Sequence, residues 1–245
     1  MICLDTMKLI QFFKFNTLIK TLSLYNNIST FVQVGAHDGE MHDPIRKFIL
    51  ANNWSGLLIE PQKDMLEKCK KSYKNKENLI FINCAVHPYK KNIELFKVNN
   101  AKDYSHTGWA SIMPDRFVDT KYENDYSIVN VKAKNLMDII KENNFNSIDI
   151  LQIDTEGFDG EVIKMFDFSN YTPLLIQYEH VHLSTSDHKT INNRLDLLGY
   201  YSIIKKNDTI LVKKSLISLL FITSYIYMRI LSSIKSRFNN LYNKF

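Results

Sequence analysis

Nine consecutive residues, Phe31-Val32-Gln33-Val34-Gly35-Ala36-His37-Asp38-Gly39, constrain the fold most. A short apolar, β-rich run stops at a glycine. A tight polar turn follows, and a second glycine comes four residues after the first. Pro44 sits where a helix should begin, with Asp43 before it as cap. The pattern predicts a strand, a nucleotide-binding turn and a helix N-terminus. Gly35 lets the backbone turn sharply, and Gly39 is expected to let a ligand approach the main chain closely. The same spacing also occurs in strand-to-helix turns that hold no ligand, so this motif leaves both readings open.

Two further stretches bear on the choice. Leu57-Leu58-Ile59-Glu60-Pro61 reads as a second buried strand ending in an acid, 25 residues after Gly35. An acid at that tip can accept from both hydroxyls of a ribose. Ile150-Leu151-Gln152-Ile153-Asp154-Thr155-Glu156-Gly157 reads as another strand ending in acids and a glycine. Leu79–Asn83 and Pro173–Tyr178 complete a rhythm of strands and crossover helices, one period per ~25 residues in the first part of the chain, typical of a parallel sheet. Polar residues at the strand tips then share one sheet edge, where open α/β folds bind ligands. Helices are expected over Met7–Tyr25, from Pro44, and over Pro61–Tyr73, Asn135–Asn143 and Asp159–Phe166. A last helix, capped by Asp187, should run to Leu198. Lys91–Lys97 and Tyr126–Lys132 alternate like an added hairpin, and Gly199–Ile204 with Thr209–Val212 like a closing one. The long polar stretch Asn99–Glu123 between the first pair is expected to be a lid.

VQVGAHDG, LLIEPQ, GWASI, ILQIDTEGFDGEVIKMFDF and YEHVHLS, in that order between about Thr30 and Lys213, resemble the FkbM family of S-adenosylmethionine-dependent methyltransferases. The resemblance implies an α/β, Rossmann-like methyltransferase fold. That is a mostly parallel twisted sheet with helices on both faces and a C-terminal antiparallel hairpin strand. With the helical spacing before this region and the apolar run after it, the chain is expected to divide into an N-terminal helix (1–29), a methyltransferase domain (30–214) and an apolar, basic helical tail (215–245).

For the cofactor, S-adenosylmethionine, the resemblance implies that Gly35, Ala36, His37, Asp38 and Gly39 run along the methionine part. Glu60 and Pro61 then lie at the ribose, Asn83, Cys84 and Ala85 border the adenine, and Asp154 faces the sulfonium. Many methyltransferases carry an acid two residues before the first glycine. Neutral Gln33 stands there in this chain, which leaves Asp38 or Asp154 to attract the cofactor's amino group. His37 is bulky for such a turn and has two readings, ligand contact or a local hydrogen bond.

For the acceptor, candidates converge from two strand exits: Asp154, Glu156, Glu179, His180 and His182. A histidine is a natural base near neutral pH, whereas carboxylates at neighbouring tips could hold a divalent metal such as Mg²⁺. The residues do not choose between these chemistries. Glu156 as a partner for backbone N–H groups at a helix start, and His182 as a satisfied surface histidine, are the structural alternatives.

Composition narrows the partners. A net charge of +5 is spread along the chain. The Lys68-Cys69-Lys70-Lys71 cluster reads as a solvated helix face, and no aromatic-interleaved basic stripe suggests nucleic acid. Three cysteines without a C-x-x-C spacing point to reduced thiols and a cytoplasmic setting. Lysines interrupt the N-terminus too often for a signal peptide. Leu216–Ile234 is apolar but carries Arg229 and basic flanks, and reads as an interfacial helix, a span or a packed helix, with contact to a membrane surface through 215–234 as one outcome. The functional expectation is O-methylation of a sugar, glycan or other small hydroxylated metabolite. The alternatives are a non-catalytic or membrane-associated binding module with a vestigial pocket, and a nicotinamide-dependent oxidoreductase, against which the missing G-x-G-x-x-G counts.

Overall fold

The computed structural model describes residues 11–218. Runs rich in Val, Ile and Leu form its strands, because branched side chains suit a pleat buried on both faces. A first helix, α1 (Phe15–Ser23), precedes β1 (Thr30–Val34), α2 (Arg46–Ala51), β2 (Ser55–Ile59), α3 (Lys63–Ser72), β3 (Leu79–Ile82) and the two-residue β4 (Ala85–Val86). Then come β5 (Asn92–Val98), β6 (Tyr126–Lys134), α4 (Leu136–Glu142), β7 (Ile150–Ile153), α5 (Asp159–Met165) and β8 (Leu175–Glu179). The last elements are α6 (Thr185–Leu197), β9 (Tyr200–Ile204) and β10 (Asp208–Lys213).

Seven strands form the main sheet in the order β3-β2-β1-β7-β8-β10-β9. The first five run parallel, and β10 enters antiparallel to both β8 and β9. The strand order reverses between β1 and β7, so their C-terminal ends open a crevice. This is the Rossmann-like methyltransferase arrangement, with the expected C-terminal antiparallel hairpin.

Alternate residues of each strand feed two cores. Phe31, Leu58, Ile150 and Leu175 pack with Phe15, Leu18, Ile19 and Leu22 of α1 and with Phe48 and Ile49 of α2. Val32, Leu57, Leu151 and Ile176 face the other way, onto Ile139 and Ile140 of α4, Val162 and Ile163 of α5, and Ile191 and Leu195 of α6. Each fully buried leucine or isoleucine contributes ~1.5–3 kcal/mol. The hairpin β5–β6 forms a separate small sheet with β4, register Asn92↔Lys132 through Val98↔Tyr126.

Three local expectations shift. Helix α2 begins at Arg46, not Pro44, because Asp43 Oδ1 accepts the N–H groups of Ile45 and Arg46 (2.8 and 2.9 Å) and holds the chain in a turn first. The cap of α6 is Ser184, whose hydroxyl accepts the Asp187 N–H at 3.0 Å while donating to the Asp187 carboxylate at 2.6 Å, so Asp187 is the inner member of a capping pair. Cys84-Ala85-Val86 supplies β4 where a turn was expected. Of the helix expected over Met7–Tyr25, α1 forms only Phe15–Ser23: residues 11–14 precede it as turn and extended chain, and residues 1–10 lie outside the described residues, as does nearly all of the apolar tail. Of that tail, Ile217 is described, and it is buried against the α1 side of the core. Among the described residues no helix is long and apolar enough to cross a membrane.

Candidate active site

The site begins where β1 ends. Gly35 has φ +82°, and a Cβ there would lie 1.7 Å from the Asp154 carbonyl oxygen of β7's exit. On its other side its N–H donates to Ile59 O of β2 at 2.9 Å. Three strand tips therefore close on one residue without a side chain. His37 also turns left-handed (φ 46°), which aims its N–H at Glu60 Oε2 (2.9 Å). The Gln62 N–H donates to Glu60 Oε1 at 2.8 Å. Burial drives the Glu60 pKa up to about 7 despite these two donors. Each carboxylate oxygen keeps a further lone pair for another donor.

A cleft of about 360 Å³ opens on this turn. Gly35, Ala36 and His37 line one wall, and Glu60, Pro61, Cys84 and Ala85 the next. Asp154, Glu156 and Glu179 line the opposite side. Five expected site residues do not line it. Gly39 is a correction: a Cβ there would meet Cys69 Sγ and Tyr73 Cε2 of the α3 region, each at 2.7 Å, so this glycine serves helix packing and not ligand approach. Asp38 turns inward to cap the N–H groups of Glu40 and Met41 and to accept from the Tyr104 hydroxyl at 2.8 Å. Burial alone would raise its pKa, but these three donors bring it down to about 2. Asn83 clamps the loop after β2 from outside, donating to the Glu60 and Pro61 carbonyls. His180 stacks on His188 at 4.3 Å and shares Thr209 with it. His182 stands behind the two glutamates.

The acidic side is a crowded charge cluster. Asp154 is open to solvent through the cleft. Protein surrounds it, and that burial with the charges of Asp159, Glu156 and Glu179 raises its pKa well above the ordinary carboxylate range. Glu156, in a left-handed conformation (φ 54°), accepts from Arg116 Nε and Nη2 at 2.8 and 2.7 Å. His182 Nε2 lies 3.5 Å from Glu156 and 3.3 Å from Glu179. Hydrogen bonds to those glutamates, against burial, push its pKa up to about 9, so it is a cation near neutral pH. The role of base at pH 7 expected of a histidine therefore does not suit His182, and His180 lies outside the cleft. Glu156, Glu179 and His182 each present a ligand atom within 4.8 Å of the others, the one such trio among the described residues. Its charges are already balanced by Arg116 and by His182 itself.

Several residues of this site were not singled out in the sequence. Asp159, fully buried, accepts from Thr155 N–H and hydroxyl (3.1 and 2.6 Å) and from the Glu179 N–H (3.0 Å), tying the exits of β7 and β8 together. Arg116 lies in the long stretch expected to be a lid. That stretch folds into two 3-10 turns, Tyr104–Trp109 and Pro114–Phe117, and spans the cleft. Thr107 Oγ1 is 2.9 Å from His37 Nε2, and Gln62 donates to the Thr107 carbonyl at 3.1 Å. At the far end the Ser111 hydroxyl donates to the Glu156 carbonyl at 2.7 Å. Its GWASI motif was legible, whereas the Arg116 contact, 40 residues away in sequence, carried no local signal.

Strand order, the glycine turn and the buried acid define an α/β domain built around a nucleoside-sized cleft. The sequence profile described as "Methyltransferase FkbM domain" matches residues 33–201, and the chain belongs to that methyltransferase family. No curated protein sequence matches it. Similar solved structures include the methyltransferase FkbM of Methylobacillus flagellatus KT, with 12% identity and TM-score 0.46, covering 75% of this chain and 43% of that one. A human methyltransferase 10 domain containing protein has 10% identity and TM-score 0.44, covering 87% and 84%. A Methanococcus jannaschii fibrillarin pre-rRNA processing protein has 11% identity and TM-score 0.40, covering 76% and 66%. The chain thus spans less than half the length of the Methylobacillus protein.

Proposed function

We propose that this methyltransferase uses S-adenosylmethionine to methylate a hydroxyl of a sugar, glycan or other hydroxylated small molecule. The observation that carries the reading is the meeting of Gly35, buried Glu60 and Asp154 on one cleft at the switch point of the sheet. The cofactor, implied by the family, fits these residues. Glu60 has spare acceptor capacity for two ribose hydroxyls, and the Gly35 turn has no side chain to block approach. The Cys84-Ala85 segment offers an apolar flank to a base. When bound, S-adenosylmethionine supplies a methyl group already activated on a sulfonium.

The chain's own residues then have three tasks. Gly35, Ala36, His37 and Glu60 bind and orient. The lid, pinned through Thr107, Ser111 and Arg116, excludes water and fixes the acceptor's approach, which is where most of the rate can come from in a reaction that needs alignment. Asp154 takes the hydroxyl proton in its ionised form, which alone can accept it: it lines the cleft, and a carboxylate whose pKa is held above the ordinary range is the stronger base, so turnover should rise with pH through its titration. A screen of nucleotide sugars and glycans with methyl-labelled cofactor tests this. Label in a hydroxyl-bearing product, lost in Asp154→Asn, supports the reading. Transfer only to nitrogen or carbon acceptors contradicts it.

A second reading of the acidic side, a divalent metal on Glu156, Glu179 and His182, is favoured by their spacing. It requires His182 to shed its proton and Glu156 to share its carboxylate between the metal and Arg116, whose two donors both fall on Oε2. The same screen run with chelator decides: unchanged turnover removes the metal, and loss restored by Mg²⁺ establishes it.

A further inference from the structure

Glu60 and Thr107 are joined twice. His37 donates its backbone N–H to Glu60 Oε2 at 2.9 Å, and its ring Nε2 lies 2.9 Å from the Thr107 hydroxyl. Gln62 donates its backbone N–H to Glu60 Oε1 at 2.8 Å, and its side-chain amide donates to the Thr107 carbonyl at 3.1 Å. Each residue thus holds one oxygen of the carboxylate through its main chain and one oxygen of Thr107 through its side chain. The Thr107 hydroxyl spends its own proton on the Tyr104 carbonyl at 2.6 Å, so the His37 ring is the donor to it. His37 and Gln62 are 9% and 4% exposed, and both line the cleft beside Glu60. Thr107 sits in the 3-10 turn Tyr104–Trp109 of the lid, and its neighbours Gly108 and Trp109 line the cleft as well.

The clasp is held against local strain. His37 is left-handed at φ 46°, a conformation that residues with a Cβ rarely adopt. Its ring Nδ1 is buried without a hydrogen-bond partner, 3.4 Å from Asp38 Oδ1. What the strained conformation secures is two bonds at once, one to the buried acid and one to the lid. Ribose hydroxyls donating to Glu60 favour its ionised form, which holds the two N–H groups more strongly than the neutral carboxyl does. A main chain fixed at 37 and 62 in turn fixes both side chains on Thr107. The Tyr104 hydroxyl, bonded to Asp38, anchors the same turn without touching Glu60. Loss of the clasp should therefore leave the turn in place but unresponsive to ligand.

We infer that His37 and Gln62 are positioning residues that couple a ligand on Glu60 to the seating of the lid turn Tyr104–Trp109 through Thr107. A nucleoside on Glu60 then sets the wall that Gly108 and Trp109 present to the acceptor, and by reciprocity a seated lid tightens the nucleoside. This rests on the cofactor assignment under the proposed function.

Limited chymotrypsin digestion of the full chain, with and without saturating S-adenosylhomocysteine, reads the coupling as a ratio of nicking rates within 99–123. In the wild-type protein the ligand is expected to slow nicking by about fivefold or more, as coupling between sites implies. His37→Gly removes the ring but suits the left-handed backbone and keeps its N–H, and Gln62→Ala also keeps its N–H. Each should lower the ratio, and together they should bring it to within about twofold of one. Binding of S-adenosylhomocysteine by calorimetry certifies the fold of each variant. A merely structural role would change the ligand-free rate and leave the ratio alone. Should the double variant fail to fold, His37→Gly and Thr107→Val carry the comparison, since they break the same bond and their losses should be equal and not add. Folded variants that keep the wild-type ratio, or a wild-type protein that binds S-adenosylhomocysteine with no change in nicking, overturn the inference alone. A wild-type protein that binds no S-adenosylhomocysteine overturns the cofactor assignment with it.

Discussion

Glu60 is buried at the end of β2 with two backbone N–H groups on it and a pKa near 7. Its ability to accept from a ribose therefore depends on pH. As pH falls through about 7 the carboxyl takes a proton and loses acceptor capacity, so affinity for a ribose-bearing ligand should decline below neutrality; calorimetry at pH 6 and 8 reads this directly. The two glycines of the opening motif should separate in a similar comparison. Gly35→Ala meets the Asp154 carbonyl and should disrupt both fold and binding. Gly39→Ala, at φ +69° against Cys69 and Tyr73, should lower stability by ~1–3 kcal/mol yet leave ligand affinity within about twofold. A large affinity loss in folded Gly39→Ala would return that residue to the ligand. Gly35 and Glu60 were legible because a strand tip fixes their place from local pattern alone. Gly39, Asp159 and His180 were not, because their partners come from α3, from the β7 and β8 exits and from β10, and no spacing along the chain encodes those.

At the scale of elements, the strands were read to within about two residues, since a buried parallel strand is an apolar run with abrupt ends. Helix starts moved by one or two residues where a side chain capped a turn first, as Asp43 does, whereas the helix expected from Met7 begins only at Phe15. Two-residue β4 is too short to carry any periodicity. The lid was recognised from its length and polarity, but its anchoring was not. Arg116→Met should expose that anchoring. Removing this largely shielded cation from Glu156 should cost about 1–3 kcal/mol, raise proteolytic nicking within 99–123, and raise KM for the acceptor more than it lowers kcat. Nicking unchanged from wild type would show that the 3-10 turns hold the lid without this pair.

The whole molecule gathers raised-pKa acids around one cleft. Glu60 at about 7 and Asp159 at about 6 both keep protons in the folded state that the unfolded chain would release near pH 4. The folded state therefore binds more protons between pH 4 and 7, and stability falls as pH rises through that window, by about 3 kcal/mol for each of these two groups. His182 adds to the trend: its folded pKa of about 9 lies above its unfolded value, so its contribution is complete below about 6.5 and is lost through 9. Burial lowers the pKa of His37, His87, His180 and His188, which oppose this trend below about 6.5, so the comparison is made above it: thermal melts of the ligand-free protein should show a higher Tm at pH 7 than at pH 8.5. A cofactor that brings positive charge should raise Tm more at pH 8 than at pH 6. A Tm that climbs with pH would mean that these carboxyls are not buried as described.

The central claim is that the tips of β1, β2 and β7 build one cofactor cleft, and binding of S-adenosylmethionine to the wild-type chain and to Glu60→Ala, measured by calorimetry at pH 8, tests it most directly. The expected result is one equivalent bound by the wild-type protein and a loss of about tenfold or more in Glu60→Ala. A folded wild-type protein that takes up no cofactor, or a Glu60→Ala variant that binds as the wild type does, would contradict it.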